Sequence, residues 1–513
     1  MTVVRIDREG EIAIVTVDNP PVNALGQALR QGLWDAVSTL DADASVRAVV
    51  LICAGRTFIA GADVTEFGKP PVPPNLPDLV DRIEGAVKPW VAAIHGSALG
   101  GGFEVAMGCQ FRVALESASV GLPEVGLGIV PGASGTVRTP RLAGVPAAVE
   151  LVTKGRPVKA AKAQAMGLVD AVVSGDLRTG AVEFVRAALT VPLPLPVSAR
   201  PVVSPDPAWW DDQRLAIAAR AKGEIAPLRA LDCLRMAAER PFAEALAHER
   251  ATFLDLRGSE QALALRHVFF AERAAPRPAH LGAAKPLPMA SIAVLGGTAD
   301  ILAALRKADV PGVVTDPDDT ALAGCDLVIV GANDARIARL GRLCRPDSVL
   351  AVMGLAPNSL PNPARCVGLN PIGAAVEIAP TPETTAETLA TAFALARSLG
   401  LLPVQTGAGS ISQRLLRRFQ AETAMLGQGV GAALRDHSFA GALAVQDFAP
   451  TDPQMRTTEV IVRLTSAMAD EGLALLAEGI ALSATDIDLI AIHGLGYPRW
   501  RGGPMFEHRA RNA

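Results

Sequence analysis

Glu104 and Glu124 stand twenty positions apart, each in a segment almost free of other charge: Ser97-Ala-Leu-Gly-Gly-Gly-Phe-Glu-Val-Ala-Met107 and Val120-Gly-Leu-Pro-Glu-Val-Gly-Leu-Gly-Ile-Val-Pro131. A carboxylate set among apolar residues loses hydration unless something compensates it. Two of them, each beside glycine-rich backbone, point to a place where protons move on and off carbon or water. Gly100, Gly101 and Gly102 come just before a helical stretch. Glycine lets backbone approach a ligand closely, and amides at a helix N-terminus bear partial positive charge that suits a developing oxyanion. A second loop, Phe58-Ile-Ala-Gly-Ala-Asp-Val-Thr65, follows an apolar strand and could bring another free amide. Two such amides on one thioester carbonyl would stabilise an enolate, with Glu104 and Glu124 acting on the carbons beside it. Taken singly, a glycine triplet is commonly a tight turn and a helical glutamate is commonly solvated. The weight lies in the fixed order: loop, glycines, Glu, Pro-Glu, Pro-Gly.

Those residues need a scaffold. Residues 3–17 alternate in strand fashion, and Asn19-Pro-Pro-Val-Asn-Ala-Leu25 is a turn into a helix over 26–41. Residues 46–53 read as a buried parallel strand. Residues 89–95 read as another, running straight into the glycines. Strands alternating with helices indicate an α/β layer architecture. The proline- and valine-rich stretch 189–210 reads as a connector, and helical periodicity returns over 214–273. The break at 274–282 is the best domain boundary. A second α/β pattern starts at Ser291-Ile-Ala-Val-Leu-Gly-Gly297, and from 385 onward the pattern is mainly helical. The segments 425–430 and 475–480 look alike, which suggests two related helical subdomains.

The chain has 513 residues, half of them apolar, so more than one domain with a large core is expected. A net charge of −4 with both signs scattered gives no reason to expect nucleic acid or an anionic membrane as partner. No apolar run is long enough to span a bilayer. The N-terminus lacks an apolar signal core, and Arg511-Asn-Ala513 is not a peroxisomal address, so a cytoplasmic protein is expected. Six scattered cysteines form no CxxC pair and read as reduced core residues, with no metal site.

The stretches Asn19–Leu25, Ala60-Gly-Ala-Asp63, His95-Gly-Ser-Ala-Leu-Gly-Gly-Gly-Phe-Glu104 and Leu122-Pro-Glu-Val-Gly-Leu-Gly-Ile-Val-Pro-Gly132 resemble the crotonase (enoyl-CoA hydratase/isomerase) family over residues 1 to about 185. The resemblance implies a CoA thioester substrate and no required cofactor. It assigns the oxyanion amides to Ala62 and Gly101, the two hydratase carboxylates to Glu104 and Glu124, and substrate contacts to Ala60, Asp63, Gly100 and Gly132. Hydration of a 2-enoyl thioester needs water at C3 and a proton at C2. One carboxylate suffices to shift a double bond, so retention of both favours a hydratase, with isomerase as a side activity.

The segment 241–273 and the tail Gly494-Leu-Gly-Tyr-Pro-Arg-Trp-Arg-Gly-Gly-Pro-Met-Phe506 resemble the multifunctional enzymes of fatty-acid β-oxidation. Those fuse a crotonase domain to an NAD-dependent 3-hydroxyacyl-CoA dehydrogenase. The expected organisation is a spiral ββα crotonase core at 1–188, a connector and helical extension at 189–282, a reduced Rossmann-like domain at 288–404 and a helical C-terminal region at 405–513.

The dehydrogenase signals are degenerate. The loop after the first strand, with Gly296 and Gly297, is one residue short, and Asp300 stands where the family has its last glycine. Asp316 or Asp318 could mimic the ribose-binding acid. None of the seven histidines lies between 281 and 436; Asn370 occupies the catalytic histidine position, Glu377 is its orphaned partner, and Gln413 replaces an asparagine. NAD binding is therefore expected to be weak or absent. Arg499, Arg501, Lys69 and Lys88 could meet CoA phosphates. Gly494 and Gly496 form a turn, and Trp209 and Trp210 pack in the connector. Family analogy suggests a monomer. Three readings follow: a hydratase with a vestigial dehydrogenase region, a bifunctional hydratase–dehydrogenase, and a non-catalytic acyl-CoA scaffold.

Overall fold

The computed structural model describes residues 3–512 except 64–65, 67–68, 297–298, 355–361, 427–429 and 445–456, with backbone alone at 299–300. The chain divides into two compact units, Met1–Ala262 and Leu263–Ala513. The division falls inside helix Glu260–Ala274, not at the proline-containing break of 274–282. The reason is where the side chains pack: Ala262 belongs to the core of the first unit, whereas Val268 and Ala271 belong to a core of the second.

In the first unit six strands lie in the order Val4–Glu9, Ile12–Val17, Ala48–Cys53, Trp90–Ile94, Phe111–Leu115, Ala171–Val173. The first pair is an antiparallel hairpin, and the other neighbours are parallel. The alternation read over 3–17 is thus two strands split at Gly10, where φ is +67°. The strand side chains divide by parity. Ala13, Val15 and Val17 enter the larger core, while Ile12 and Ile14 face Ala181, Val182 and Val185 of helix Leu177–Ala188. Burial on both faces is why the inner strands Ile12–Val17, Ala48–Cys53 and Trp90–Ile94 run almost wholly apolar, while the edge strand Val4–Glu9 is largely exposed. A small sheet of Ser97–Leu99, Ser119–Gly121 and Val158–Lys159 carries the two glutamate segments. The region read as connector contains a helix start: Pro207–Ala221 is capped by Asp206, and its Trp210 is buried against Trp209.

The second unit holds a seven-stranded sheet in the order Val313–Thr315, Ile292–Leu295, Leu327–Val330, Val349–Met353, Cys366–Ile372, Ala375–Pro380, Leu402–Gln405. Only the pair Cys366–Ile372 and Ala375–Pro380 is antiparallel. Strand Leu402–Gln405 lies within the stretch read as mainly helical. Helices Ile411–Leu426 and Thr457–Ala477 then pack through Leu415, Phe419, Ile461, Leu464 and Met468. Of the two similar segments, 425–430 falls partly outside the described residues. Among the described residues no helix is long and apolar enough to cross a membrane, and no cluster of His, Cys, Asp and Glu is placed to hold a metal ion.

Candidate active site

The motif Asn19–Leu25 is a bracket for the loop after strand Ala48–Cys53. Asn23, at φ +53°, donates through Nδ2 to the carbonyls of Ala54, Thr57 and Phe58 at 2.9–3.0 Å and accepts from the Asn19 amide. The Leu25 amide donates to Gly61 O at 2.9 Å and the Ala60 amide to Val22 O at 3.2 Å. Ala60 therefore holds the loop with its own N–H. Asp63 turns its carboxylate toward Gly26, at the head of helix Gln27–Asp41, whose N-terminal charge it complements. Ala62, between them, stays exposed.

Helix Gly101–Gly108 arrives beside this loop along its glycines. A Cβ on Gly102 would sit 2.1 Å from the Ile59 carbonyl, and one on Gly101 would sit 3.7 Å from the Ala62 nitrogen and 2.7 Å from Leu76 Cδ2. Gly100 adopts φ +52°, donates to Gly121 O at 2.9 Å, and lies against Glu124: a Cβ there would be 2.8 Å from Oε1. The backbone thus brings Ala62, Gly100, Gly101, Glu104 and Glu124 together. Gly132 is placed differently, packed beneath the Phe253 ring, which a Cβ would meet at 2.7 Å.

Both glutamates are buried. Glu104 Oε1 accepts from the amides of Ala133 and Gly135, each at 2.8 Å. Burial pushes Glu104 up to about 7, against the opposing pull of those amides and of Arg138 and Arg250. Burial, and then the charge of Glu104, push Glu124 well above the usual carboxylate range. Glu124 Oε2 is buried with no hydrogen-bond partner among the described residues. A buried polar atom without a partner marks either strain or a place for a ligand.

A third carboxylate escapes the sequence reading. Glu249, fully buried on helix Phe242–Arg257, accepts from the Ser134 amide at 2.5 Å, the Thr136 amide at 2.7 Å and the Thr136 hydroxyl at 2.6 Å. Burial first and then Glu104 push it up to about 8. One signal was available: the helix buries Ala245, Glu249, Thr252 and Leu256, so Glu249 stands on an apolar stripe.

The second unit gathers its own polar cluster. Asn370 and Glu377 face each other across the antiparallel pair, and Asn370 Nδ2 donates to Glu377 Oε2 at 2.6 Å. Glu377 also accepts from Ser410 Oγ at 2.7 Å, Ser412 Oγ at 3.1 Å and the Ser412 amide at 2.6 Å. Gln413 is next along the chain, its amide bonded to Ser410 Oγ. At the sheet's other end Gly296 (φ +26°) donates to Asp316 Oδ1 at 3.2 Å, and a Cβ on it would lie 2.6 Å from Asp334 Oδ2. Arg336 pairs with both aspartates at 2.8 Å. Asp318 caps a short helix through the Ala321 amide. Gly297 and the Asp300 side chain lie outside the described residues. Arg499 and Arg501 pair with Glu272 and Glu507. Gly496 is a left-handed turn residue at φ +94°.

Residues 7–190 match the family model described as enoyl-CoA hydratase/isomerase. A peroxisomal bifunctional enzyme of Danio rerio is 29% identical over 96% of this chain and 90% of its own length. A probable enoyl-CoA hydratase of Bacillus subtilis is 42% identical over 31% of this chain and 64% of its own. A crystal structure of an enoyl-CoA hydratase from Bacillus anthracis is 28% identical, covering 52% of this chain and 96% of that one, with a TM-score of 0.36. The cytoplasmic placement expected from the sequence is overturned here, since relatives matched along nearly the whole chain are peroxisomal. The lack of an apolar signal core bears on secretion alone, and a receptor-read organelle address leaves no trace in composition.

Proposed function

We propose that this chain, whose residues 7–190 belong to the enoyl-CoA hydratase/isomerase family, adds water syn across the 2,3 double bond of a 2-enoyl-CoA thioester. The observation that carries this reading is the pair of buried, mutually repelling carboxylates beside the Ala62 and Gly101 backbone, one of them with an unpartnered oxygen. The amides of Ala62 and Gly101 receive the thioester oxygen and stabilise the enolate as it forms. Two close carboxylates titrate as a pair and share a proton near neutrality. Burial raises both, and the charge of Glu104 adds to the rise at Glu124, so in this reading the shared proton sits on Glu124 and Glu104 is the one that ionises. Glu104, tethered through Oε1 to two amides, takes a proton from water as its oxygen bonds to C3. The π electrons move toward C2 and the carbonyl, and Glu124 delivers its proton to C2. An isomerase side activity follows when one of these carboxylates moves a proton between C4 and C2.

The same reading holds dehydrogenation to be lost. The second unit offers that reaction no base, since Asn370 bonds to Glu377 in its place, and Asp334, paired with Arg336, crowds the Gly296 backbone where a pyrophosphate would approach. The bifunctional reading remains the second one, favoured by the 29% identity to a bifunctional enzyme along 96% of the chain. One assay separates them. Purified protein should hydrate crotonyl-CoA without NAD, and should form no NADH from 3-hydroxybutyryl-CoA. NADH formation would give the bifunctional reading, and acyl-CoA binding without turnover would give the scaffold reading. The comparisons lend no support to the monomer expected from the sequence, and light scattering decides it.

A further inference from the structure

Glu249 takes no part in the steps above, yet its hydrogen bonds bear on where Glu104 points. It lies on helix Phe242–Arg257, beyond the residues 7–190 that the family model spans. Four successive amides, those of residues 133 to 136, are divided alternately between two carboxylates. Ala133 and Gly135 donate to Glu104, while Ser134 and Thr136 donate to Glu249. Ser134 sits at φ +79°, a conformation L side chains seldom adopt, so this backbone has to be held in place. Phe253, one turn after Glu249, backs the same loop beneath Gly132.

We propose that Glu249 is a positioning residue of the hydratase site: by gripping the amides of Ser134 and Thr136, it aims those of Ala133 and Gly135 at Glu104 and fixes the carboxylate that meets the water. The role given to Glu104 rests on the hydratase reading; the grip on the loop does not. An amide side chain cannot replace Glu249. Glutamine presents one acceptor and one NH2 group, and against three donors the NH2 meets an N–H head-on.

The amides that Glu249 aims also hold the Glu104 titration down. The groups facing this cluster are Glu104 on helix Gly101–Gly108, Glu124 on the turn Glu124–Leu127, Arg138 on helix Gly135–Ala143, Cys233 on helix Ala226–Glu239 and Arg250 on the helix of Glu249 itself. Glu104 raises Glu249, and Glu249 in turn raises Glu124. Once the amides of Ala133 and Gly135 lose their aim, Glu104 gives up its proton less readily.

The test uses full-length Glu249→Gln and Thr136→Val, the second removing one donor only. The readouts are thermal midpoint, kcat and KM for crotonyl-CoA across pH, and the 13C titration of Cδ-labelled glutamates, with Glu104→Gln assigning the Glu104 resonance. In Glu249→Gln, kcat should fall about 10- to 100-fold, as for a misplaced catalytic group, with KM within about twofold. The Glu104 titration and the acid limb of kcat/KM should both move to higher pH, because amides that have lost their aim no longer hold the carboxylate down. Thr136→Val should move both the same way by less. A folded Glu249→Gln with wild-type kcat, a loss confined to KM, or an unmoved Glu104 titration overturns the proposal. If Glu249→Gln fails to fold, Thr136→Val decides by the same criteria. If the wild-type chain does not hydrate crotonyl-CoA, the hydratase reading falls, and the Glu104 titration still upholds or overturns the grip.

Discussion

The two units each bury a glutamate that faces a polar partner from a neighbouring segment, and they treat it in opposite ways. In the first, Glu104 and Glu124 repel each other, both are pushed toward the protonated form, and an oxygen of Glu124 has no hydrogen-bond partner among the described residues. In the second, Glu377 receives hydrogen bonds from Asn370, Ser410 and Ser412 on both of its oxygens. A saturated carboxylate is a structural acceptor. A frustrated one can exchange protons, because either charge state is within reach near neutral pH. The lesson is that burial of an acid does not identify a site; what matters is which of its lone pairs the fold leaves unmet.

The contrast can be broken most directly at Glu124. Glu124→Gln should lower kcat for crotonyl-CoA hydration about 10²- to 10⁴-fold, the range for removing a general acid; a smaller loss would place it among the structural acceptors. Glu377→Leu should do the reverse. It leaves the Asn370, Ser410 and Ser412 donors unmet, so denaturant unfolding should report a second unit weakened by about 2–4 kcal/mol, with hydration untouched. Glu104→Gln separates the units by pH. Glu104 is raised from 4.5 to about 7, so the stability it contributes is whole below 4.5 and lost as pH climbs through 7. Glutamine carries no such charge and still accepts through its oxygen. Thermal melts at pH 8.5 should therefore show Glu104→Gln more stable than wild type by on the order of 1–3 kcal/mol, a gain that vanishes by pH 5. The smallest effect expected is none at all: Asn370→His should still yield no NADH from 3-hydroxybutyryl-CoA and NAD, because the crowding at Gly296 remains.

What could be read from sequence follows the distance over which each feature acts. Glu104 and Glu124 stood out because their own neighbours are apolar, and the glycines announce a backbone contact that admits no side chain. The Asn370 substitution is legible because no histidine lies between 281 and 436 and the stretch 365–371 resembles the surroundings of the family's histidine. Glu249 was not, since His248 and Arg250 flank it and make it look like one more surface charge. Only its place on the stripe of Ala245, Thr252 and Leu256 sets it apart, and its partners lie more than a hundred residues upstream. The division between the two compact units is set at long range too. Proline marks where a helix ends, whereas the division follows which core each face of helix Glu260–Ala274 joins.

The close approach of Gly102 to the Ile59 carbonyl has a consequence for how this enzyme can be altered. Main chain rests directly on main chain there, so the spacing between the Ala62 and Gly101 amides proposed to hold the thioester oxygen leaves no room for a side chain at position 102. A single methyl there would pry the two segments apart, so changes that retune this protein have to be sought away from that seam.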